Sequence, residues 1–279
     1  MGALARLVER AFPGVTTSGR EKAGDGSGVV GRPRAAEGRS LAGDPLEVTR
    51  AVWAAASWLI DYPGDDLLTR LATIKELTAT LPERFRAHLD PAIDAIGSGD
   101  PFELRSRYVD TFDTRRRGCL HLTYFSYGDT RKRGLALVRI KETYRRAGLL
   151  IEDTELPDHL TVVLEFGAAH DERGAEKILL ANRAGLELLR LHLADTDSPW
   201  HGVIAAVCAT LPALDGSDRE AVRALAENGP AEEMVGLDGY GADDMPPILR
   251  GDDCDASTGA PIGASPGGRP QIPLTVKGR

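Results

Sequence analysis

Residues Tyr108 to Gly134 read Y-V-D-T-F-D-T-R-R-R-G-C-L-H-L-T-Y-F-S-Y-G-D-T-R-K-R-G, and the middle of this stretch decides the fold. Between Gly118 and Gly128, Leu120, Leu122, Tyr124 and Ser126 alternate with His121, Thr123, Phe125 and Tyr127. Strict alternation is the period of a strand. No second stretch in the chain pairs with it, and a lone strand does not make a sheet. The stretch is therefore expected to be an extended connection lying across helices, in an all-α protein.

Working outward, the flanks are helical. Asp100-Pro101-Phe102-Glu103 has an N-cap Asp, Pro at the first helical position and Glu at the third, a strong helix start. The helix it opens carries Leu104, Tyr108 and Phe112. After the connection, Asp129 is expected to cap a helix running to about Ala147, with Leu137, Ile140 and Tyr144 inward and Gly148 as the stop. Upstream, Leu46–Asp61 is apolar nearly all round and reads as a buried helix, broken by Tyr62-Pro63-Gly64. Leu67 to Leu77 and Pro82 to Ile96 give two more. Downstream, Pro157 is expected to open a helix through Leu164 and Gly167, followed by Glu172 to Leu193 as one helix. Ser198-Pro199 opens the next, to Leu211, and Ser217-Asp-Arg-Glu220 reads as a capping box for the last. About nine helices between residues 45 and 228 make a single helical domain. Residues 1–44 and 229–279, rich in Gly, Pro and small polar residues, read as flexible tails. Leu4, Val8 and Phe12 could form one short amphipathic turn in the first tail.

Charge narrows the function. The net charge is −8, yet residues 101–150 carry 12 Lys/Arg against 5 Asp/Glu, a local +7 that leaves −15 on the rest. A nucleic-acid binder by bulk electrostatics is excluded. Three scattered cysteines make no disulfide framework and point to a reducing compartment. No apolar run approaches the roughly 20 residues of a membrane span, and no signal-peptide pattern stands at the start. A cytoplasmic location is expected.

Motifs of catalysis are absent: no P-loop, no His-Glu-x-x-His, no Cys-x-x-Cys and no nucleophile elbow. Gly26-Ser-Gly28-Val-Val-Gly31 matches a dinucleotide fingerprint without the strand and helix that give it meaning. Cys119 and His121 would face one way in an extended segment, but no second pair at metal spacing joins them. His159 and His170 would lie about 16 Å apart along a helix, too far for one metal. Arg115-Arg116-Arg117 and Arg131-Lys132-Arg133 flank the connection. The second group sits in a first helical turn, where cations oppose the helix dipole, so contact with an anion or acidic partner is the functional reading. Tyr124, Phe125 and Tyr127 between them would suit base stacking, which keeps an RNA-binding alternative open. Glu155-Leu-Pro-Asp158-His159-Leu160 is a good helix start, with carboxylates at its positive end. Its histidine, flanked by carboxylates, would suit binding a peptide backbone or basic side chains.

Together these stretches resemble the respiratory nitrate reductase assembly chaperones, the NarJ family, within the TorD-like molybdoenzyme chaperones. The resemblance rests on Tyr108-Val-x-x-Phe112-Asp113, Leu120-x-Leu122-Thr123-Tyr124, Tyr127-Gly128-Asp129-Thr130-Arg131-x-Arg133-Gly134, and Glu155-Leu-Pro-Asp158-His159-Leu160 followed by Leu164-Glu165-Phe166. Ser57-x-Leu-x-Asp61-Tyr62-Pro63, Ser198-Pro199 and Thr210-Leu211-Pro212 also fit, so the likeness covers about residues 46–212. It implies an all-helical chaperone rather than an enzyme. Its expected partner is the catalytic molybdenum subunit of nitrate reductase, recognised through its N-terminal segment and kept competent for insertion of molybdenum cofactor. No permanently bound cofactor or metal, no nucleic acid and no membrane insertion are implied. Candidate partner-binding residues are Tyr108, Asp113, His121, Tyr124, Asp129, Arg131, Arg133, Glu155, Asp158, His159, Leu164 and Phe166. A carrier of the molybdenum cofactor, holding its phosphates on the basic clusters, is the alternative within the same resemblance.

Overall fold

A computed structural model describes residues 39–151 and 156–228, all within one compact unit. The N-terminal helical turn, the glycine fingerprint, Glu155 and the C-terminal stretch lie outside the described residues. Within them the fold is all-α, with eleven helices and two isolated bridges in place of any sheet.

Helix α1 (Leu46–Ile60) is the centre, with ten of its 15 residues buried. It stops where it should, since Asp61 is extended (ψ 155°) ahead of Tyr62-Pro63. Helices α2 (Leu67–Thr78) and α3 (Glu83–Ser98) pack in sequence after it. Helix α4 (Pro101–Tyr108) is capped by Asp100, whose carboxylate accepts the Glu103 N–H at 3.3 Å, and runs on as a π-helical turn over Val109–Asp113. A 3₁₀ turn (Arg116–Gly118) leads to α5 (Leu122–Tyr127) and α6 (Arg131–Arg146). The remainder is α7 (Leu160–Ala169), α8 (Glu172–Ala181), α9 (Arg183–Asp195), α10 (His201–Ala209) and α11 (Gly216–Asn228).

Helix α1 lies chiefly against α7, with α10 and α2 on its other sides, while α9 touches α5, α8, α10 and α11. Two indoles lock these layers: Trp53 Nε1 donates to Thr210 Oγ1 at 2.9 Å, and Trp200 Nε1 to the Leu59 carbonyl at 3.0 Å. Trp200 also heads an aromatic cluster with Tyr108 and Phe112, ring centroids 4.8 to 5.5 Å apart.

Four expectations are corrected. The 118–128 connection is not extended throughout: its second half is helix α5. The Glu172–Leu193 helix is two helices, because the Asn182 side chain turns back to the Ile178 carbonyl (2.8 Å) and ends α8. Asp129 and Pro157 do not start their helices, which begin after Thr130 and His159. The last helix is capped by Asp215, which accepts the Asp218 N–H at 2.8 Å while Asp218 accepts that of Asp215 at 3.1 Å. The box is real but sits two residues earlier than the Ser217 reading.

Two glycines give a paired prediction. A Cβ on Gly167 in α7 would run into the Trp53 ring and lie 2.6 Å from the Ala175 Cβ, whereas one on Gly134 in α6 would meet nothing within 4 Å. Gly134→Ala is expected to raise stability by about 1 kcal/mol through helix propensity. Gly167→Ala is expected to lower it by about 1–3 kcal/mol through overpacking, despite the same propensity gain. Urea unfolding of both variants checks the opposite signs.

Candidate functional site

Helix α5 exists because of a residue 35 positions away. The backbones of Leu120–Leu122 and Asp158–Leu160 cross in an antiparallel bridge at His121 and His159: Leu122 N–H donates to the Asp158 carbonyl (3.0 Å) and Leu160 N–H to that of Leu120 (2.9 Å). This crossing places the fully buried Asp158 side chain at the start of α5. There its carboxylate accepts the Thr123 N–H at 3.2 Å and the Thr123 hydroxyl in a very short bond. A carboxylate on the free N–H groups of a first turn is a cap, here supplied by tertiary structure.

Two further groups complete the cluster. His121 Nδ1 lies 3.2 Å from one Asp158 oxygen and Arg133 Nη2 3.6 Å from the other. Arg133 Nε also donates to Thr123 Oγ1 at 3.3 Å, and its guanidinium stands 5.6 Å from the Tyr124 ring centroid. Burial acts to raise the Asp158 pKa, but the hydrogen bonds from His121 and Thr123 and the nearby positive charge hold it below the usual carboxylate value. The arginine in the first turn of α6 is thereby explained: Arg133 faces inward to a buried anion.

The surface of this cluster is a histidine pair. The rings of His121 and His159 meet edge to face, centroids 5.1 Å apart. His159 Nδ1 lies 2.6 Å from Thr161 Oγ1. Burial, reinforced by the charge of His121, pushes the His159 pKa down to about 4. At neutral pH it is an uncharged imidazole. Among the described residues no group of three or more His, Cys, Asp or Glu is placed to hold a metal, and Cys119 has its thiol pKa raised by burial.

Beside the cluster, Tyr144 donates to the Pro157 carbonyl at 2.7 Å and meets Phe166 edge to face at 4.5 Å. These rings floor an apolar groove of about 170 Å³, walled by Leu149, Ile151 and Val162.

The family model described as nitrate reductase delta subunit matches residues 78–206, the span holding both the bridge and the aspartate. The nitrate reductase-like protein NarX of Mycobacterium tuberculosis is 38% identical over 167 residues, 57% of this chain but 24% of its own length. The chain thus spans about a quarter of that relative. The probable nitrate reductase molybdenum cofactor assembly chaperone NarJ of Bacillus subtilis is 31% identical over 57% of this chain and 87% of its own. The chain belongs to the NarJ family. NarJ of Escherichia coli, described as a nitrate reductase molybdenum cofactor assembly chaperone, is 30% identical over 147 residues, 52% of this chain and 62% of its own.

In this NarJ-family chain the residues singled out from sequence fall into separate places. His121, Arg133, Asp158 and His159 come together, with Tyr124 at their edge. Asp129 is exposed and 3.4 Å from Arg133, and Arg131 is exposed on α6. Tyr108, Leu164 and Phe166 are buried in the core, and Asp113 is exposed at the end of the π-turn. Thr123, Thr161 and the groove residues Leu149 and Ile151 are additions. For the groove the signal was the apolar Leu149-Leu150-Ile151 run; for Thr123 it was its place in the Leu120-x-Leu122-Thr123-Tyr124 motif, and for Thr161 sequence carried none. Among the described residues no helix is long and apolar enough to cross a membrane.

Proposed function

We propose that this NarJ-family chain is an assembly chaperone of a nitrate reductase, which binds the N-terminal segment of the catalytic molybdenum subunit and keeps it competent for cofactor insertion. The observation that carries the reading is the His121–His159 pair. Each ring is tied through Nδ1, to Asp158 and to Thr161, which leaves the opposite nitrogen for a guest. Rings fixed in this way make directional contacts at small entropic loss, the requirement for reading an extended backbone. The apolar groove over Tyr144 and Phe166 supplies the complementary surface for apolar side chains of the same segment. In this reading the catalytic subunit leaves once loaded, and Asp158 acts from inside as the residue that positions the pair.

The test is a titration of the intact chain against a labelled peptide copy of the client's N-terminal segment. The double variant His121→Ala/His159→Ala is expected to bind about tenfold more weakly, the loss of two hydrogen bonds of about 0.5–1.5 kcal/mol each. Its circular dichroism should remain that of the parent. Unchanged affinity in a folded double variant would sink the proposed contact.

A further inference from the structure

The Arg115-Arg116-Arg117 run plays no part in the aspartate cluster. It lies where the 3₁₀ turn packs against α9 and the π-helical turn. Gly118 sets that approach, since any Cβ there would collide with the Thr111 carbonyl. The arginine run is thus held against the π-turn at close range rather than left on a free loop. Between them and the end of α9 opens a polar cavity of about 110 Å³.

Its walls are cationic and hydroxylic. Arg107 and Arg115 reach it from α4 and from the arginine run, His192 from α9, and Ser198 from the turn beyond. Arg107 is steadied by the Asp197 carbonyl at 3.5 Å, in a turn where Asp197 itself takes a positive φ of 48°. The Ser198 hydroxyl accepts the Trp200 N–H at 3.4 Å and keeps its own proton for a guest. The Nε2 of His192 is shut off from water and has no hydrogen-bond partner. That nitrogen has nothing to bond in the structure, and His192 is one of the residues lining the cavity. Asp110 is the one carboxylate on the wall. It pairs with Arg115 at a long 3.4 Å, as a placeholder anion would.

The geometry points to an oxyanion-binding site: the cavity takes one phosphate group, free or at the end of a phosphate ester, on Arg107, Arg115, His192 and Ser198. Two guanidiniums with forked donors match tetrahedral oxyanions in shape as well as charge. The space is large enough for one such group, and an ester on it would extend toward solvent. The field is consistent with this: the His192 pKa is lowered by burial first and then by the charges of Arg115 and Arg117, opposed only by Asp195. A π-turn in the wall is a feature that often accompanies functional sites.

Isothermal titration of the intact chain with inorganic phosphate, and in parallel with a nucleoside monophosphate, tests the site without any client. Saturable binding is expected for the parent, with the His192 imidazole NMR signals shifting as phosphate is added. Arg115→Gln is expected to weaken it about tenfold, and Asp110→Asn to tighten it, because the competing carboxylate is gone. Lys177→Gln, on the exposed face of α8, should change nothing. Equal affinity for the two ligands identifies a site for the free ion, and tighter binding of the ester identifies a site for the terminal group of a larger molecule. The proposal is overturned if the parent shows no saturation below roughly 10 mM. It is overturned equally if Asp110→Asn weakens binding as Arg115→Gln does, or if both variants bind like the parent.

Discussion

Asp158→Ala is expected to lower the free energy of unfolding by about 3–5 kcal/mol, the range for breaking a buried charge pair by deleting one partner. The carboxylate is fully buried and serves His121, both donors of Thr123 and Arg133 at once. Its loss leaves Arg133, whose side chain is only 15% exposed, without its inner partner and uncaps α5. Guanidinium unfolding of the two proteins measures the difference, and a loss under 1 kcal/mol would refute the account. The pH dependence has a definite sign. The folded pKa of Asp158 lies below the free-carboxylate value of about 3.9, so the unfolded chain takes up the proton more readily. The contribution is therefore complete above the unfolded value and is lost as pH falls through the folded one. Parent and variant should differ by the same amount from neutrality down to about pH 5 and converge only in stronger acid.

Trp53→Ala is the second large effect, expected at about 3–5 kcal/mol. The indole is 1% exposed at the meeting of α1, α7 and α10, and it gives its N–H to Thr210. Removal leaves a cavity beside Gly167, which has no side chain to fill it. Trp53→Phe keeps most of the apolar contact and is expected to lose about 1–3 kcal/mol. Chemical unfolding of the three proteins should rank them parent, Phe, Ala; equal stability of parent and Ala variant would contradict this packing.

Most of the helical fold was legible because its determinants are local. The all-round apolar α1, the Pro63 stop and the Asp100 cap are set by residues within one turn of where they act. The failures share the opposite property. Nothing inside Gly118–Gly128 says that its second half is helical, since the cap comes from Asp158. The in-phase leucines of 172–193 hide the break at Asn182, which a side chain turning back on its own helix creates. Sequence did single out Asp158, His159 and Arg133. That the aspartate points inward, and that it is what the arginine answers, depends on the His121–His159 chain crossing that no periodicity records.

The central position of α1 has a consequence for how the molecule is made. Its main partner α7 begins a hundred residues later, and its indole partner Thr210 is 157 positions downstream. Synthesis proceeds from the N-terminus at about 5–20 residues per second. A helix with ten of its 15 residues destined for burial therefore spends several seconds outside the ribosome before the surface that buries it exists. High sequence separation of this kind slows folding and exposes intermediates to aggregation. A chain of the chaperone family is thus itself, while nascent, the kind of substrate that needs shielding.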